Sequence, residues 1–269
     1  MRKAVSTAAM MIMALIPMAV VSAPAQAAAT KRYVALGDSY AAGVGTDPSD
    51  ANDPCRRSPR SYPRTWAAAH ASTYTLTDVT CSGATIADVR ARQLSALNDS
   101  TALVTITVGG NDGGFRSTVT NCLTGSDALC SVSTQLGSYY ATHQLVDDLV
   151  GLYAEVKRRA PHAAIVVLGY PRLVALSGSC GVDVSLAKRK ALNSNADAMA
   201  QGIGTATSRQ GIYFVDMTPV FNGHEACGSS AWINGVNPAR LDDTFHPNAA
   251  GHKAYSDILT IVTDWHAAA

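Results

Sequence analysis

Tyr33-Val-Ala-Leu-Gly-Asp-Ser-Tyr-Ala-Ala-Gly-Val-Gly45 is the stretch that decides how this chain is read. Four strand-like apolar residues run into a Gly-Asp-Ser turn, and a small-residue segment follows. The pattern describes a buried β-strand that delivers Ser39 to the C-terminal edge of a sheet. In open α/β sheets that edge holds the ligand crevice. Gly-Asp-Ser alone equally describes an ordinary turn, because Ser and Asp hydrogen-bond to nearby backbone. Three later stretches decide between the two: Cys81-Ser-Gly-Ala-Thr85, Val108-Gly-Gly-Asn-Asp112 and Asp243-Thr-Phe-His-Pro247.

Working outward from Ser39, strands and helices alternate. Residues 47–62 are rich in Asp, Pro, Ser and Arg and read as a surface loop. A helical pattern over 62–70 places Trp66 in the core. Residues 74–79 alternate like a short strand and lead into the Cys81 stretch, with a helix expected over 86–97. Residues 102–108 form a continuous apolar and β-branched run, which suits a strand buried on both faces of a parallel sheet. That run ends at Gly109-Gly-Asn-Asp112. Residues 115–137 read as irregular and are expected to shape or cover a pocket. Leu145, Leu149, Leu152, Tyr153 and Val156 carry helical spacing within 138–160. Lys157, Arg158 and Arg159 suit the negative end of that helix, and Pro161 lies beyond it. Strands at 164–169 and 212–217 bracket a long helix over 186–209, and a closing helix starts at Pro247. Such alternation builds one parallel sheet covered by helices on both faces, through right-handed crossovers.

The first residues stand apart. Arg2 and Lys3 precede an apolar run from Ala8 to Val21, interrupted by Pro17, and Ala25-Gln-Ala27 offers a small-x-small cleavage site. This reads as a secretory signal peptide over 1–29 rather than a membrane anchor, because the Pro and the small-residue exit do not suit a span. Residues 30–269 then form a single domain, large enough to bury its own core. Removing Arg2 and Lys3 takes Lys+Arg from 21 to 19 against 20 Asp+Glu. No basic stripe offers phosphate neutralisation, which argues against nucleic acid as a partner. Six cysteines after a leader imply structural disulfides in a secreted protein, although six allow 15 connectivities. No Cys-x-x-Cys pair points to zinc, and nothing in the motifs asks for a metal or cofactor.

The four stretches fit ester hydrolysis. That chemistry needs a nucleophile, a base, a group that orients the base, and donors for a developing oxyanion. Ser39 supplies a hydroxyl at a strand edge. His246 is the base candidate, just before a Pro-initiated helix. Asp243, three residues earlier, is the candidate to orient it, with the neighbouring Asp242 as a rival. Asn111 offers a side-chain N–H, while Ser39 and Gly83 offer backbone N–H groups. A glycine at 83 lets backbone approach a substrate without a Cβ in the way.

With Gly37-Asp-Ser-Tyr40, Gly83, Gly109-Gly-Asn-Asp112 and Asp243-Thr-Phe-His246 in order, the chain resembles the SGNH hydrolase superfamily, the GDSL lipases and esterases. It resembles the secreted actinobacterial (Streptomyces-type) lipase branch of that superfamily in particular. The resemblance implies a flavodoxin-like three-layer α/β/α fold with a central parallel sheet. It implies Ser39 as nucleophile, His246 as general base and acid, and an oxyanion hole from Ser39, Gly83 and Asn111. It also implies the disulfides Cys55–Cys81, Cys122–Cys130 and Cys180–Cys227, and a monomeric lipase or esterase acting on acylglycerol-type esters through an acyl-enzyme. Phospholipase A1-like and carbohydrate-acetyl esterase activities share the same machinery and stay open, as does an exported binding protein with an inactive site.

Two departures matter. Tyr40 replaces the Leu of the family's first block, a change expected to affect packing only. Some relatives orient the histidine with a backbone carbonyl, so the presence of Asp243 leaves triad and dyad as competing arrangements. Asp38 is expected to hold its turn by local hydrogen bonds.

Overall fold

The computed structural model describes Met1, residues 29–46 and residues 52–268. The leader read over 1–29 and the start of the 47–62 loop lie essentially outside these residues. Strand β1 is Lys31–Gly37, followed by β2 (Tyr74–Asp78), β3 (Thr101–Thr107), β4 (Ala164–Leu168) and β5 (Tyr213–Val215). They form one sheet in the order β2-β1-β3-β4-β5, every neighbouring pair parallel. This is the doubly wound order in which the crevice opens beside the ends of β1 and β3. The chain runs outward from β1 to β2, then crosses back over to β3, so the loops after β1 and β3 diverge and leave a gap between them.

The helices are α1 (Ser39–Ala42), α2 (Tyr62–Ala69), α3 (Ile86–Asp88), α4 (Phe115–Thr124), α5 (Asp127–Thr142), α6 (Gln144–Arg159), α7 (Leu186–Gln210), α8 (Met217–Val220) and α9 (Ala249–Ala268). Helices α2 and α9 pack together, and α4, α5, α6 and α7 form a second packed group. Tyr33 of β1 meets Trp66 of α2 edge-on at 5.3 Å, while Tyr62 of α2 stacks on Tyr255 of α9 at 5.3 Å. Residues of both parities along β1 and β3 are buried, including Val34, Leu36, Val104 and Ile106 beside Tyr33 and Ala35. A strand buried on both faces explains the unbroken apolar runs in the sequence. Among the described residues, no helix is long and apolar enough to cross a membrane.

The segment 115–137 corrects the sequence reading. It is not irregular: it forms α4 and the first two-thirds of α5, joined by a tight turn at Gly125 and Ser126. Ser126 caps α5 by accepting from Leu129 N at 3.2 Å. The segment is rich in Ser and Thr, which compete with helical hydrogen bonds when their hydroxyls seek nearby backbone. Here those hydroxyls turn back onto the preceding turn instead: Thr120 to Arg116 O, Thr124 to Thr120 O, Thr134 to Cys130 O and Ser138 to Thr134 O. The single helix expected over 138–160 is also divided, because His143 leaves helical geometry between α5 and α6.

The disulfides are Cys55–Cys81, Cys122–Cys130 and Cys180–Cys227. The first fastens the 52–61 loop to the stretch carrying Gly83, the second joins α4 to α5, and the third ties the loop after β4 to the loop after α8.

Candidate active site

Ser39 is the first residue of α1, immediately past the end of β1. The turn is tight because β1 and β3 close on each other there. A Cβ at Gly37, whose φ is +135°, would lie 2.3 Å from Thr107 O, so glycine is required. Asp38 is the helix cap: its Oδ1 accepts from Tyr40 N at 2.9 Å. Gln93 holds the strand end from the other side, with Oε1 accepting from Gly37 N at 2.7 Å and Nε2 donating to Gly37 O at 2.9 Å. Gln93 closes a π-helical turn, Val89–Gln93, within the helix expected over 86–97.

His246 arrives from the opposite end of the chain. Its Nε2 lies 2.8 Å from Ser39 Oγ, and its Nδ1 lies 3.2 Å from Thr244 O. A carbonyl can only accept, so the neutral ring carries its proton on Nδ1 and leaves Nε2 free to accept the serine proton. Phe245 supplies the bend that lets the ring fold back on Thr244, adopting φ +58° while fully buried. Left-handed geometry is unfavourable for an aromatic residue and persists only where neighbours impose it. The neighbours are Asn234, which exchanges backbone bonds with Phe245 N and His246 O, and Tyr40, whose hydroxyl donates to Phe245 O at 2.5 Å.

Tyr40 is therefore more than a packing change. Its ring also sits 5.2 Å from that of His246, so the residue after Ser39 braces the histidine loop.

Asp243 does not meet the imidazole. Its carboxylate accepts from Arg56 Nη2 at 2.9 Å and from Arg240, at the end of a 3₁₀ segment over Pro238–Asp243. Two guanidiniums engage the carboxylate, and the Nδ1 contact belongs to Thr244 O. Asp242, the rival, pairs with Arg56 and Arg116. The partner of Nδ1 expected from Asp243 is thus a backbone carbonyl. Burial is the main cause that lowers the His246 pKa to about 4; the Thr244 bond and the Asp243 charge oppose it, and Arg56 adds to it. The ring is neutral at pH 7.

Asn111 and Gly83 are held as one unit. Asn111 Nδ2 donates to Ala84 O at 3.0 Å, and both carboxylate oxygens of Asp112 accept from Ile86 N at 3.1 Å. These bonds lock the loop after β3 onto the stretch after β2. Gly83 has φ +81° and open space where a Cβ would be. The N–H groups of Ser39 and Gly83 meet no acceptor among the described residues. Ser39, Gly83, Asn111 and His246 all line one cavity of about 380 Å³, with Phe115, Leu123, Val236 and Leu241 among its apolar walls.

A residue absent from the sequence reading, Tyr170, joins the two halves of the site. Its hydroxyl donates to Asp38 Oδ2 at 2.5 Å and accepts from Gly110 N at 3.1 Å. Burial raises the Asp38 pKa to about 7, against the opposing bonds from Tyr170 and Tyr40. The available signal was position alone: Gly169-Tyr-Pro171 directly follows β4, the strand next to β3.

This geometry can be set beside known proteins. The model of the GDSL-like Lipase/Acylhydrolase family matches residues 35–254. The chain belongs to this family. Lipase 1 of Streptomyces coelicolor is 40% identical over 230 residues, covering 84% of each chain. Two crystal structures superpose with the fold: an extracellular lipase from Streptomyces rimosus (39% identity, TM-score 0.81) and a phospholipase A1 from Streptomyces albidoflavus NA297 (38% identity, TM-score 0.80). Each alignment covers 86% of this chain and 99% of the solved one. The chain is a carboxylic ester hydrolase of the GDSL lipase/esterase type, with the α/β fold of that family.

Proposed function

We propose that the chain is a secreted lipase or esterase that cleaves acylglycerol-type esters through an acyl-enzyme on Ser39. The observation that carries this reading is the 2.8 Å contact between Ser39 Oγ and His246 Nε2, in a cavity also lined by Gly83 and Asn111. Ser39 Oγ attacks the carbonyl carbon while its proton passes to His246 Nε2. The imidazolium is held by Thr244 O through Nδ1–H, without a carboxylate. The oxyanion takes the N–H groups of Ser39 and Gly83 and the second Nδ2 proton of Asn111, whose first is engaged by Ala84 O. These donors stand in place before charge develops, which is where such sites derive most of their stabilisation. Collapse of the intermediate breaks the carbonyl–alkoxy bond, and His246 returns its proton to the leaving alcohol. Water repeats the sequence on the acyl-enzyme.

Secretion is supported by the leader pattern at residues 1–29 and by three disulfides. A phospholipase A1-like activity is a second reading with its own observation: Arg56 and Arg116 line the cavity, where they pair with Asp242 and Asp243 and would exchange those carboxylates for a headgroup phosphate. Hydrolysis of p-nitrophenyl esters from acetyl to palmitoyl, with phosphatidylcholine and triacylglycerol alongside, tests both readings against Ser39→Ala. Turnover lost in Ser39→Ala supports ester hydrolysis at this site, and turnover retained in it refutes the proposal. Phosphatidylcholine cleaved faster than triacylglycerol favours the second reading.

A further inference from the structure

We infer that Tyr170 is a positioning residue for the reaction, its hydroxyl setting the distance between the Ser39 and Asn111 donors of the oxyanion hole. This rests on the ester-hydrolase reading above and deepens it, because it gives a rate consequence to a residue that supplies none of the donors itself.

The need for such a residue follows from the topology. Ser39 N stands on the turn after β1 and Asn111 Nδ2 on the loop after β3, and the register between these strands stops at Gly37 and Thr107. Asp38 N still donates to Thr107 O at 2.9 Å. Beyond that bond the two segments diverge, so strand pairing no longer fixes how far apart the donors lie. On the β2 side other bonds take over: Cys81 N donates to Gly37 O at 3.0 Å, while Asn111 and Asp112 engage Ala84 O and Ile86 N. Those bonds place Gly83. On the β4 side, Tyr170 Oη makes the one side-chain hydrogen-bond bridge between the Ser39 turn and the Asn111 loop among the described residues.

The hydroxyl can form this bridge in one sense only. Gly110 N–H donates to the Tyr170 oxygen at 3.1 Å, so the single hydroxyl proton goes to Asp38 Oδ2 at 2.5 Å. Each partner is one residue from a donor: Asp38 precedes Ser39, and Gly110 precedes Asn111. Oδ1 of the same carboxylate accepts from Tyr40 N at 2.9 Å, so both oxygens of Asp38 are committed. The buried Tyr170 ring is held as well. It meets Tyr40 edge-on at 5.0 Å, and a Cβ at Gly110 would lie 3.3 Å from its Cζ. Close approach of this ring, rather than a left-handed φ, is what favours glycine at 110.

Such geometry is felt in the transition state. An oxyanion donor acts when it lies about 2.7–3.1 Å from the position the charged oxygen will occupy. Misplacement by about 1 Å can cost ~10²-fold in rate. Loss of the Tyr170 hydroxyl releases Gly110 N and Asp38 Oδ2 together, and Asn111 Nδ2 can then drift relative to Ser39 N. The Ser39–His246 contact and the walls of the wide cavity do not depend on that hydroxyl. The effect therefore falls on kcat rather than on KM.

The test is a double-mutant cycle on p-nitrophenyl butyrate. Tyr170→Phe is expected to lower kcat by about ten- to a hundredfold, with KM unchanged within about twofold. In an Asn111→Ala background the same substitution should cost no more than about threefold, because the donor it places is already gone. Gly110→Ala presses on the ring from the opposite partner and is the second variant, so a Tyr170→Phe chain that does not fold leaves the question answerable. Its loss in kcat should collapse in the Asn111→Ala background in the same way. Thermal melts show which variants are folded at the assay temperature. Losses that multiply across the two backgrounds, or a folded Tyr170→Phe enzyme as fast as wild type, would overturn the assignment. A full-rate Asn111→Ala enzyme would overturn it by removing the donor that Tyr170 places. Undiminished turnover by Ser39→Ala would instead remove the ester-hydrolase reading itself.

Discussion

Replacing Asp243 by Asn separates a carboxylate-oriented histidine from a carbonyl-oriented one. Where a buried Asp accepts from the catalytic imidazole, the Asn variant loses about 10⁴-fold in kcat, because the wrong tautomer is then favoured. Here Nδ1 meets Thr244 O, and the Asp243 carboxylate is occupied by Arg56 and Arg240. The substitution leaves the tautomer and the Ser39–His246 contact intact. What changes is charge: Asp243 favours the imidazolium and Arg56 opposes it. Losing the former without the latter disfavours the protonated ring by up to about one pKa unit, or ~1.4 kcal/mol. The expected fall in kcat is therefore about tenfold or less, with KM nearly constant. The ion pairs are partly exposed on the arginine side, so their loss should cost only about 1 kcal/mol, or roughly 2–4 °C in Tm. Steady-state kinetics on p-nitrophenyl butyrate, with a thermal melt of the same preparation, measure both. A loss of 10³-fold or more in a folded variant would refute the reasoning and return Asp243 to the imidazole.

Asn111→Ala removes one of the proposed oxyanion donors and is expected to lower kcat by roughly 10²–10³-fold, measured beside wild type on the same ester; an unchanged rate would remove Asn111 from the mechanism. Gln93→Leu strands the buried Gly37 N–H, while Gly37 O keeps Cys81 N as a partner. A destabilisation of about 1–3 kcal/mol should appear in urea unfolding. Stability should also fall on mild acidification. Burial holds His246 and His252 neutral, with pKa values near 4 and 3, so the unfolded chain binds two more protons than the native one below pH 6.5. Asp38, raised to about 7, works in the opposite sense, since the native state holds its proton more tightly. Between about pH 6.5 and 4 the three groups net to about one proton, a loss of ~1.4 kcal/mol per pH unit on acidification. Urea midpoints at pH 4.5, 5.5 and 6.5 read this slope, and stability that rises towards acid would contradict it.

The juxtaposition of Ser39 with the loop after β3 was legible because two of the four blocks stand at strand ends. Gly37-Asp-Ser39 and Gly109-Gly-Asn111 both lie at C-terminal strand edges, and the buried, β-branched run of β3 is visible in one dimension. Segment 115–137 was not legible as helix. Its Thr and Ser residues have weak intrinsic helix preference, and only the folded chain shows their hydroxyls satisfied by carbonyls one turn back. Phe115, Val119 and Leu123 at i, i+4 and i+8, with Ser126 as a cap, were the signal for α4 and α5. The orientation of His246 was also out of reach, because spacing places Asp243 on the right loop without saying where its carboxylate points. Arg56 and Arg240 decide that, and Arg56 lies 187 residues away in sequence. Tyr170 belongs to the same class: a single tyrosine after a strand carries no signature until Asp38 and Gly110 are seen on either side of its hydroxyl.

The central claim is a covalent acyl-enzyme on Ser39, and trapping it tests the account most directly. Wild-type protein is mixed with p-nitrophenyl butyrate, quenched in acid during turnover, digested and mapped by mass spectrometry. The account predicts a butyryl adduct on the peptide carrying Ser39, absent together with turnover from Ser39→Ala. Undiminished hydrolysis by Ser39→Ala, or an adduct on a different residue, would contradict it.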